Sequence, residues 1–201
     1  MNPGLPFTPG VAGVDEAGRG PLAGPVVVAA VVLSEGFDTS GVNDSKQLTL
    51  LQREAVYERI KSSATFHVEV VDPADIDRHN ILRATLLAMS RCLAALDPAP
   101  ISARIDGNAF PPEPCCPCET WVKGDGRDAA IAAASILAKV TRDRLMVLAA
   151  SEFPGYGFES NYGYAAPDHL AALRELGPCR IHRRSFEPVK TMVNQPCLLD
   201  V

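Results

Sequence analysis

Four acidic residues of this 201-residue chain stand where a fold could put them to chemical use. Asp15 and Glu16 follow the apolar residues 11–14, Asp106 follows residues 101–105, and Asp125 follows Trp121-Val122 and a lysine-glycine step. In open α/β sheets, functional groups collect beyond strand ends, where loops present them to a ligand. A single Asp in such a place is ordinarily a turn or helix-capping residue. Four acids, two of them adjacent, make a more demanding pattern, because converging carboxylates repel and raise one another's pKa unless cations lie between them. Oxygen donors of this kind suit Mg²⁺ or Mn²⁺ better than zinc. Two such ions about 3.5–4 Å apart serve phosphodiester hydrolysis directly, one activating water and the other stabilising the leaving oxygen. That chemistry needs no histidine or serine nucleophile. His67, His79, His169 and His182 have no triad setting, and each is expected on the surface or in the core.

The turn Gly18-Arg19-Gly20 follows the first acid pair. Glycines let a backbone approach a ligand closely and aim its N–H groups at phosphate or sugar oxygens, although an ordinary tight turn has the same composition. No Gly-Lys-Ser/Thr follows, so this is not a Walker-type phosphate loop. Asp128 reads as a helix N-terminal residue and Asp143 as an ion-pairing one. Of six cysteines, Cys115, Cys116 and Cys118 crowd a proline-rich stretch, while Cys92, Cys179 and Cys197 stand alone. A structural zinc site wants two spaced pairs, so reduced thiols are the expectation.

The elements that must position these residues are legible in outline. Residues 11–14 and 26–33 read as strands, the second aliphatic enough to be buried on both faces. Thr49 looks like the N-cap of a helix running to about residue 61. Residues 66–71 alternate as a strand. Asp72-Pro73 opens a long helix with Leu82, Leu86, Met89, Leu93 and Leu96 along one face, closing at Asp97-Pro98. Short strands follow at residues 101–105 and at Trp121-Val122, separated by a proline-rich loop at 110–118. A second long helix is expected from Asp128 to about residue 150, and a last one over residues 167–176. Strands mixed with crossover helices imply an α/β layer structure around one sheet, antiparallel in part.

Bulk properties set the remaining bounds. Apolar residues make up 47% and aromatic residues 6%, enough for a sizeable aliphatic core. The formal net charge of −5 argues against a nucleic-acid partner on its face. Binding depends on local patches and bound cations, however, so the total does not decide. The N-terminus shows no basic start or apolar core, and the longest apolar run, residues 25–33, falls short of the roughly 20 residues that span a bilayer. A cytoplasmic protein without membrane contact is expected.

The stretch Val14-Asp15-Glu16-Ala17-Gly18-Arg19-Gly20-Pro21-Leu22-Ala23-Gly24-Pro25-Val26 resembles the opening signature of the ribonuclease HII family. Further pieces follow in that family's order: Asn43-Asp44-Ser45-Lys46, Asn80-Ile81, Ile105-Asp106-Gly107 and Lys123-Gly124-Asp125. A long alanine-rich motif at 131–144, then Gly163-Tyr164 with His169-Leu170, and Ile181-His182-Arg183 with Ser185-Phe186-Glu187-Pro188, complete the match. It spans about residues 11–189.

The resemblance implies a ribonuclease H-like fold: a mixed central sheet flanked by helices, with a small C-terminal helical extension. It implies one domain over residues 11–190 and flexible termini at 1–10 and 191–201. It also implies a metal site of Asp15, Glu16, Asp106 and Asp125 that binds two divalent cations, Mn²⁺ or Mg²⁺. The substrate would be an RNA/DNA hybrid or duplex DNA with embedded ribonucleotides, cut 5′ to the ribonucleotide to leave 3′-hydroxyl and 5′-phosphate ends. Such an activity would serve ribonucleotide excision and RNA primer removal. The backbone of Gly18, Arg19 and Gly20 would meet the ribose 2′-hydroxyl, which distinguishes RNA from DNA. Tyr164 would stack on the next, deoxy sugar. Lys46, Lys123 and Arg183 would contact phosphates, with Ser45 and Asn80 also at the substrate. A monomer is expected.

Three departures stand out. Tyr162 occupies a place where that family commonly has Lys, the 110–118 loop is peculiar to this chain, and many relatives continue further at the C-terminus. The tail Gln195-Pro196-Cys197-Leu198-Leu199 resembles a sliding-clamp-binding peptide faintly and reads first as an unstructured end. Ribonuclease HIII is the enzymatic rival, but it carries an N-terminal substrate-binding domain that ten residues would not supply. A binding module without catalysis would have no use for four repelling acids. A metal-dependent DNA exonuclease would cut all-DNA substrate from an end.

Overall fold

A run of valine and alanine makes the centre of the sheet. In the computed structural model, which describes residues 4–42 and 48–194, β1 (Val11–Ala17) and β2 (Val26–Leu33) pair antiparallel from Ala12–Val32 to Ala17–Val27. β3 (Ala64–Val71) adds antiparallel to β2, while β4 (Ser102–Asp106) and β5 (Cys118–Trp121) add parallel on the other side of β1. The order is β3-β2-β1-β4-β5. β1 is three residues longer than the apolar pattern predicts, so Asp15 and Glu16 lie inside the strand rather than beyond it.

The two faces of the sheet carry separate cores. Alternate residues Val27, Ala29, Val31 and Leu33 pack against α1 (Leu50–Ser63) and α4 (Ala129–Glu152). Ala12, Val14, Val26, Val28 and Ala30 pack with Ala103 and Ile105 under α2 (Pro73–His79) and α3 (Ile81–Ala94). Thr49 caps α1 as expected, in a reciprocal pair with Gln52. The single helix expected after Asp72-Pro73 is corrected: Asn80, at φ 63°, breaks it into α2 and α3. The buried face of α3 is Ala84, Thr85, Ala88, Met89, Cys92 and Leu93, and Leu82 is exposed. Small residues that let the helix sit close to the sheet select this face, which shares Met89 and Leu93 with the leucine stripe.

α4 is the element that the site depends on. Asp128 caps its start, accepting from the N–H groups of Ala130 and Ile131. Its first turn lies directly on β1: a Cβ at Gly13 would overlap the backbone of Ala130 and Ile131. Residues 5–8 are tied to the same place. Leu5 and Phe7 pack on the core and the Pro6 carbonyl accepts from Ala129 N at 2.9 Å, which corrects the expectation of a free end up to residue 10.

Beyond α4, the chain forms a C-terminal layer of α5 (Phe158–Asn161), α6 (Pro167–Leu176) and α7 (Val189–Asn194). Val189 is buried just inside the expected boundary at residue 190, and α7 continues four residues beyond it to Asn194. Among the described residues no helix is long and apolar enough to cross a membrane.

The close approach at Gly13 gives a stability test. Gly13→Ala should cost about 3 kcal/mol, the upper range for overpacking, because rigid backbone faces it. Gly126→Ala, where an added Cβ meets nothing within 4 Å, should change stability by about 1 kcal/mol or less. Urea unfolding of the two variants checks the contrast.

Candidate active site

Strand register decides which side chains meet. β1 and β4 run parallel, pairing Gly13 with Arg104 and Val14 with Ile105. One step on, Asp15 and Asp106 stand on neighbouring strands about 4.8 Å apart. Period-two alternation gives them one face. Val14 and Ile105 point into the α3 core, so Asp15 and Asp106 point the other way, to α4. On α4, Ser135, Lys139 and Arg142 lie at i, i+4 and i+7, which is one side of a helix. The result is a cavity of about 370 Å³ lined by all four predicted acids with Ser135, Lys139, Arg142, Gly18 and Tyr164.

Asp125 does not end a strand, as the sequence suggested, but sits in a short 3₁₀ turn, Gly124–Gly126. Asp106 holds that turn: its Oδ1 accepts from Gly124 N at 2.7 Å. One acid therefore places another. Asp15 Oδ1 likewise accepts from Glu16 N at 2.7 Å, and Ser135 also hydrogen-bonds the Asp15 carboxyl.

The electrostatics are unfavourable to Asp15 as a bare anion. Burial first, then the charges of Glu16 and Asp106, hold its pKa well above the ordinary carboxylate value. A cation placed among the acids relieves both causes at once, and hard carboxylate oxygens fit Mg²⁺ or Mn²⁺. Among the described residues no three acids, histidines or cysteines are already gathered around one point as a ligand shell.

Two buried guanidiniums secure the glycine-rich turn above the acids. Arg183 donates to the carbonyls of Gly18 (2.6 Å), Arg19 (2.9 Å), Gly24 (2.9 Å) and Pro25 (3.2 Å). Arg142 donates to Pro25, Ala23 and Tyr162 carbonyls. Burial and the neighbouring Arg142 push the Arg183 pKa down to about 9, which leaves it charged at neutral pH. Gly18 has φ 94° and a Cβ there would overlap Arg142, so no other residue fits. The expectation that Arg183 contacts phosphate is corrected. Its side chain is wholly buried, and its hydrogen bonds go to the turn instead.

Other predicted contacts divide. Tyr164 is half-exposed at the cavity edge, its ring 3.7 Å from where a Gly20 Cβ would stand. Arg19 is exposed and pairs with Glu16 at 3.3 Å. Lys123 is exposed beside the 3₁₀ turn and does not line the cavity. Asn80 is exposed and lies outside the cavity lining, and its carboxamide caps α3 by accepting from Arg83 N at 3.0 Å. Ser45 and Lys46 lie outside the described residues. Lys139, which sequence reasoning passed over, lines the cavity with its Nζ 5.0 Å from the Tyr162 ring centroid. A cation therefore stands beside Tyr162. The polar residues 135, 139 and 142 at helical spacing in an alanine-rich helix were the signal for this face.

Comparison with known proteins points one way. The family model described as Ribonuclease HII matches residues 12–189. A protein named Ribonuclease HII from Ruegeria pomeroyi is 52% identical over 185 residues, covering 92% of this chain and 79% of its own length. The crystal structure of ribonuclease H2 from Pyrococcus horikoshii OT3 superposes with a TM-score of 0.78 at 29% identity, covering 90% of this chain and 96% of that one. A chain of the PCNA:RNase HII complex from Archaeoglobus fulgidus gives 0.72 at 28%, covering 94% and 98%.

The strained charge on Asp15 predicts a linkage. Its folded-state pKa exceeds the unfolded one, so the folded state holds the proton more tightly. Stability of the metal-free protein should then fall as pH rises from the ordinary carboxylate value through the raised one. Asp15→Asn should remove this component and melt a few °C above the parent in EDTA at neutral pH, on a scale of about 2–4 °C per kcal/mol. Mn²⁺ at about 100 times its Kd should stabilise the parent by about 2.7 kcal/mol and Asp15→Asn far less. Thermal melts with and without Mn²⁺ measure both effects.

Proposed function

This chain belongs to the ribonuclease HII family, and from that premise we propose a particular reaction. As a ribonuclease H it is an endonuclease and a hydrolase. It hydrolyses the phosphodiester 5′ to ribonucleotides in RNA/DNA hybrids and at single ribonucleotides embedded in duplex DNA, leaving 3′-hydroxyl and 5′-phosphate ends. That activity serves ribonucleotide excision and RNA primer removal. The observation that carries the reading is the shared cavity: four acids, the glycine-rich turn and the Tyr164 ring lie together.

Asp15, Glu16, Asp106 and Asp125 are the residues to hold divalent cations, Mg²⁺ or Mn²⁺, two during turnover. When bound, such a pair supplies an activated water and stabilises the charge growing on phosphorus and on the leaving oxygen. The sheet holds Asp15 and Asp106 rigidly, and Asp106 fixes the turn of Asp125.

Recognition belongs to the turn. Arg183 grips the carbonyls of Gly18 and Arg19, so the amide groups of Gly18-Arg19-Gly20 keep one orientation and can read a 2′-hydroxyl, which both donates and accepts. Tyr164 stacks on the following deoxy sugar, favouring an RNA-to-DNA junction. Arg19 and Lys123, both exposed, meet phosphates. A sliding-clamp contact through residues 195–199 also belongs to the proposal; its support is the archaeal structure with PCNA, and those residues lie outside the described ones.

Two variants test the assignment with Mg²⁺ present. Asp125→Asn should lose cleavage roughly 100-fold or more while retaining duplex affinity. Tyr164→Ala should slow cutting at a single embedded ribonucleotide by about 10- to 100-fold, and cutting within a long RNA tract less. Single-turnover rates on both substrates decide; an equal loss on the two would remove Tyr164 from junction reading.

A further inference from the structure

The C-terminal layer buries two histidines that the proposed reaction leaves idle. His169, on α6, is completely buried, and His182 is 2% exposed. Their Nε2 atoms are 3.1 Å apart. His182 Nδ1 is 3.0 Å from the main-chain N of Cys179, which donates to it, and 3.1 Å from the Cys179 thiol, and His169 Nδ1 is 2.7 Å from the carbonyl oxygen of Tyr164.

These partners dictate where the protons sit. A peptide N–H only donates, so His182 Nδ1 accepts, and the neutral ring carries its hydrogen on Nε2. That hydrogen is given to His169 Nε2. The Tyr164 carbonyl only accepts, so His169 Nδ1 must donate to it. The chain of donation therefore runs one way, from Cys179 through both rings to Tyr164. Burial and the neighbouring His169 push the His182 pKa down to about 4, which keeps that ring neutral at physiological pH.

Filling this space needs no imidazole. Buried polar atoms are costly unless matched, and a leucine or phenylalanine would pack against Tyr156 and Phe158 without that cost. What imidazole adds is a directed hydrogen bond at a chosen place. The place is the main chain of Tyr164, whose N–H already donates to Asn161 O at 2.9 Å and whose carbonyl also accepts from Ala166 N at 2.8 Å. The other end of the relay reaches the glycine-rich segment, because His182 forms a β-bridge with Ala23.

We propose that His169 and His182 are positioning residues for ribonucleotide recognition, a tautomer-locked pair that sets the Tyr164 main chain, and with it the ring, against the Gly18-Arg19-Gly20 segment. This rests on Tyr164 reading the junction. The pair touches no substrate, and its side-chain hydrogen bonds act on recognition through Tyr164.

A double-mutant cycle of His169→Leu and Tyr164→Ala tests it, read as the ratio of kcat/KM on a single embedded ribonucleotide to that within a long RNA tract. His169→Leu should lower the ratio on the order of 10-fold, and should lower it little further in the Tyr164→Ala background. His169→Asn, whose amide nitrogen reaches the place of Nδ1, should recover most of the loss. Losses that multiply in the double variant, or fall equally on both substrates, overturn the inference and leave the Tyr164 role standing. An unchanged ratio in Tyr164→Ala alone overturns that role, and the inference with it. ¹⁵N spectra of the unmodified protein are a check independent of variant folding. They should show His169 protonated at Nδ1 and His182 at Nε2, both neutral; any other pattern refutes the relay.

Discussion

Parallel pairing of β1 and β4 carries two carboxylates to one point on one face of the sheet, and like charges so placed repel. The rest of the site is arranged around that repulsion. Gly13 lets α4 lie against β1, which brings Ser135 to Asp15 and Lys139 to the cavity. Asp106 uses one oxygen to hold the turn that delivers Asp125. The acids thus stand on a rigid frame in which Asp15 is unfavourable as a bare anion, an arrangement that favours hard metal ions.

Above the acids, charge of the opposite sign is buried and used as a clamp. Arg142 comes from α4 and Arg183 from the C-terminal layer, and their hydrogen bonds converge on main-chain carbonyls between Gly18 and Pro25, with Tyr162 beside them. Arginine suits this role because its fixed fork serves several carbonyls at once. The proposed reading of one hydroxyl needs a turn that is not loose, and here side chains from two distant parts of the chain hold it. In the proposed reaction, specificity rests on buried cations and catalysis on carboxylates at the cavity wall.

Much of this was legible in the sequence, for physical reasons that differ by residue. β2 and α6 matched to the residue because an uninterrupted aliphatic run and a proline at the first helical position are local signals. The acids were recognisable through the order of motifs around them, yet Asp15 and Glu16 fell inside a strand because apolar patterning stops where function begins. Arg183 was misread as a phosphate contact, and Asn80 serves as a helix cap. Their types suit a ligand, but whether a polar group faces solvent or a backbone carbonyl depends on partners more than a hundred residues away, as for Arg183 and Gly18. The break at Asn80 needs a left-handed backbone that asparagine tolerates without advertising. The histidine pair was unremarkable in sequence because its meaning lies in which nitrogen faces which partner.

The proposed chemistry requires four separated carboxylates to share cations. Crystals soaked in Mn²⁺ and measured at the manganese absorption edge test this most directly. Two anomalous peaks about 3.5–4 Å apart, ligated between them by Asp15, Glu16, Asp106 and Asp125, are the expected result. Manganese bound at a place that leaves Asp106 or Asp125 without a metal bond would contradict it.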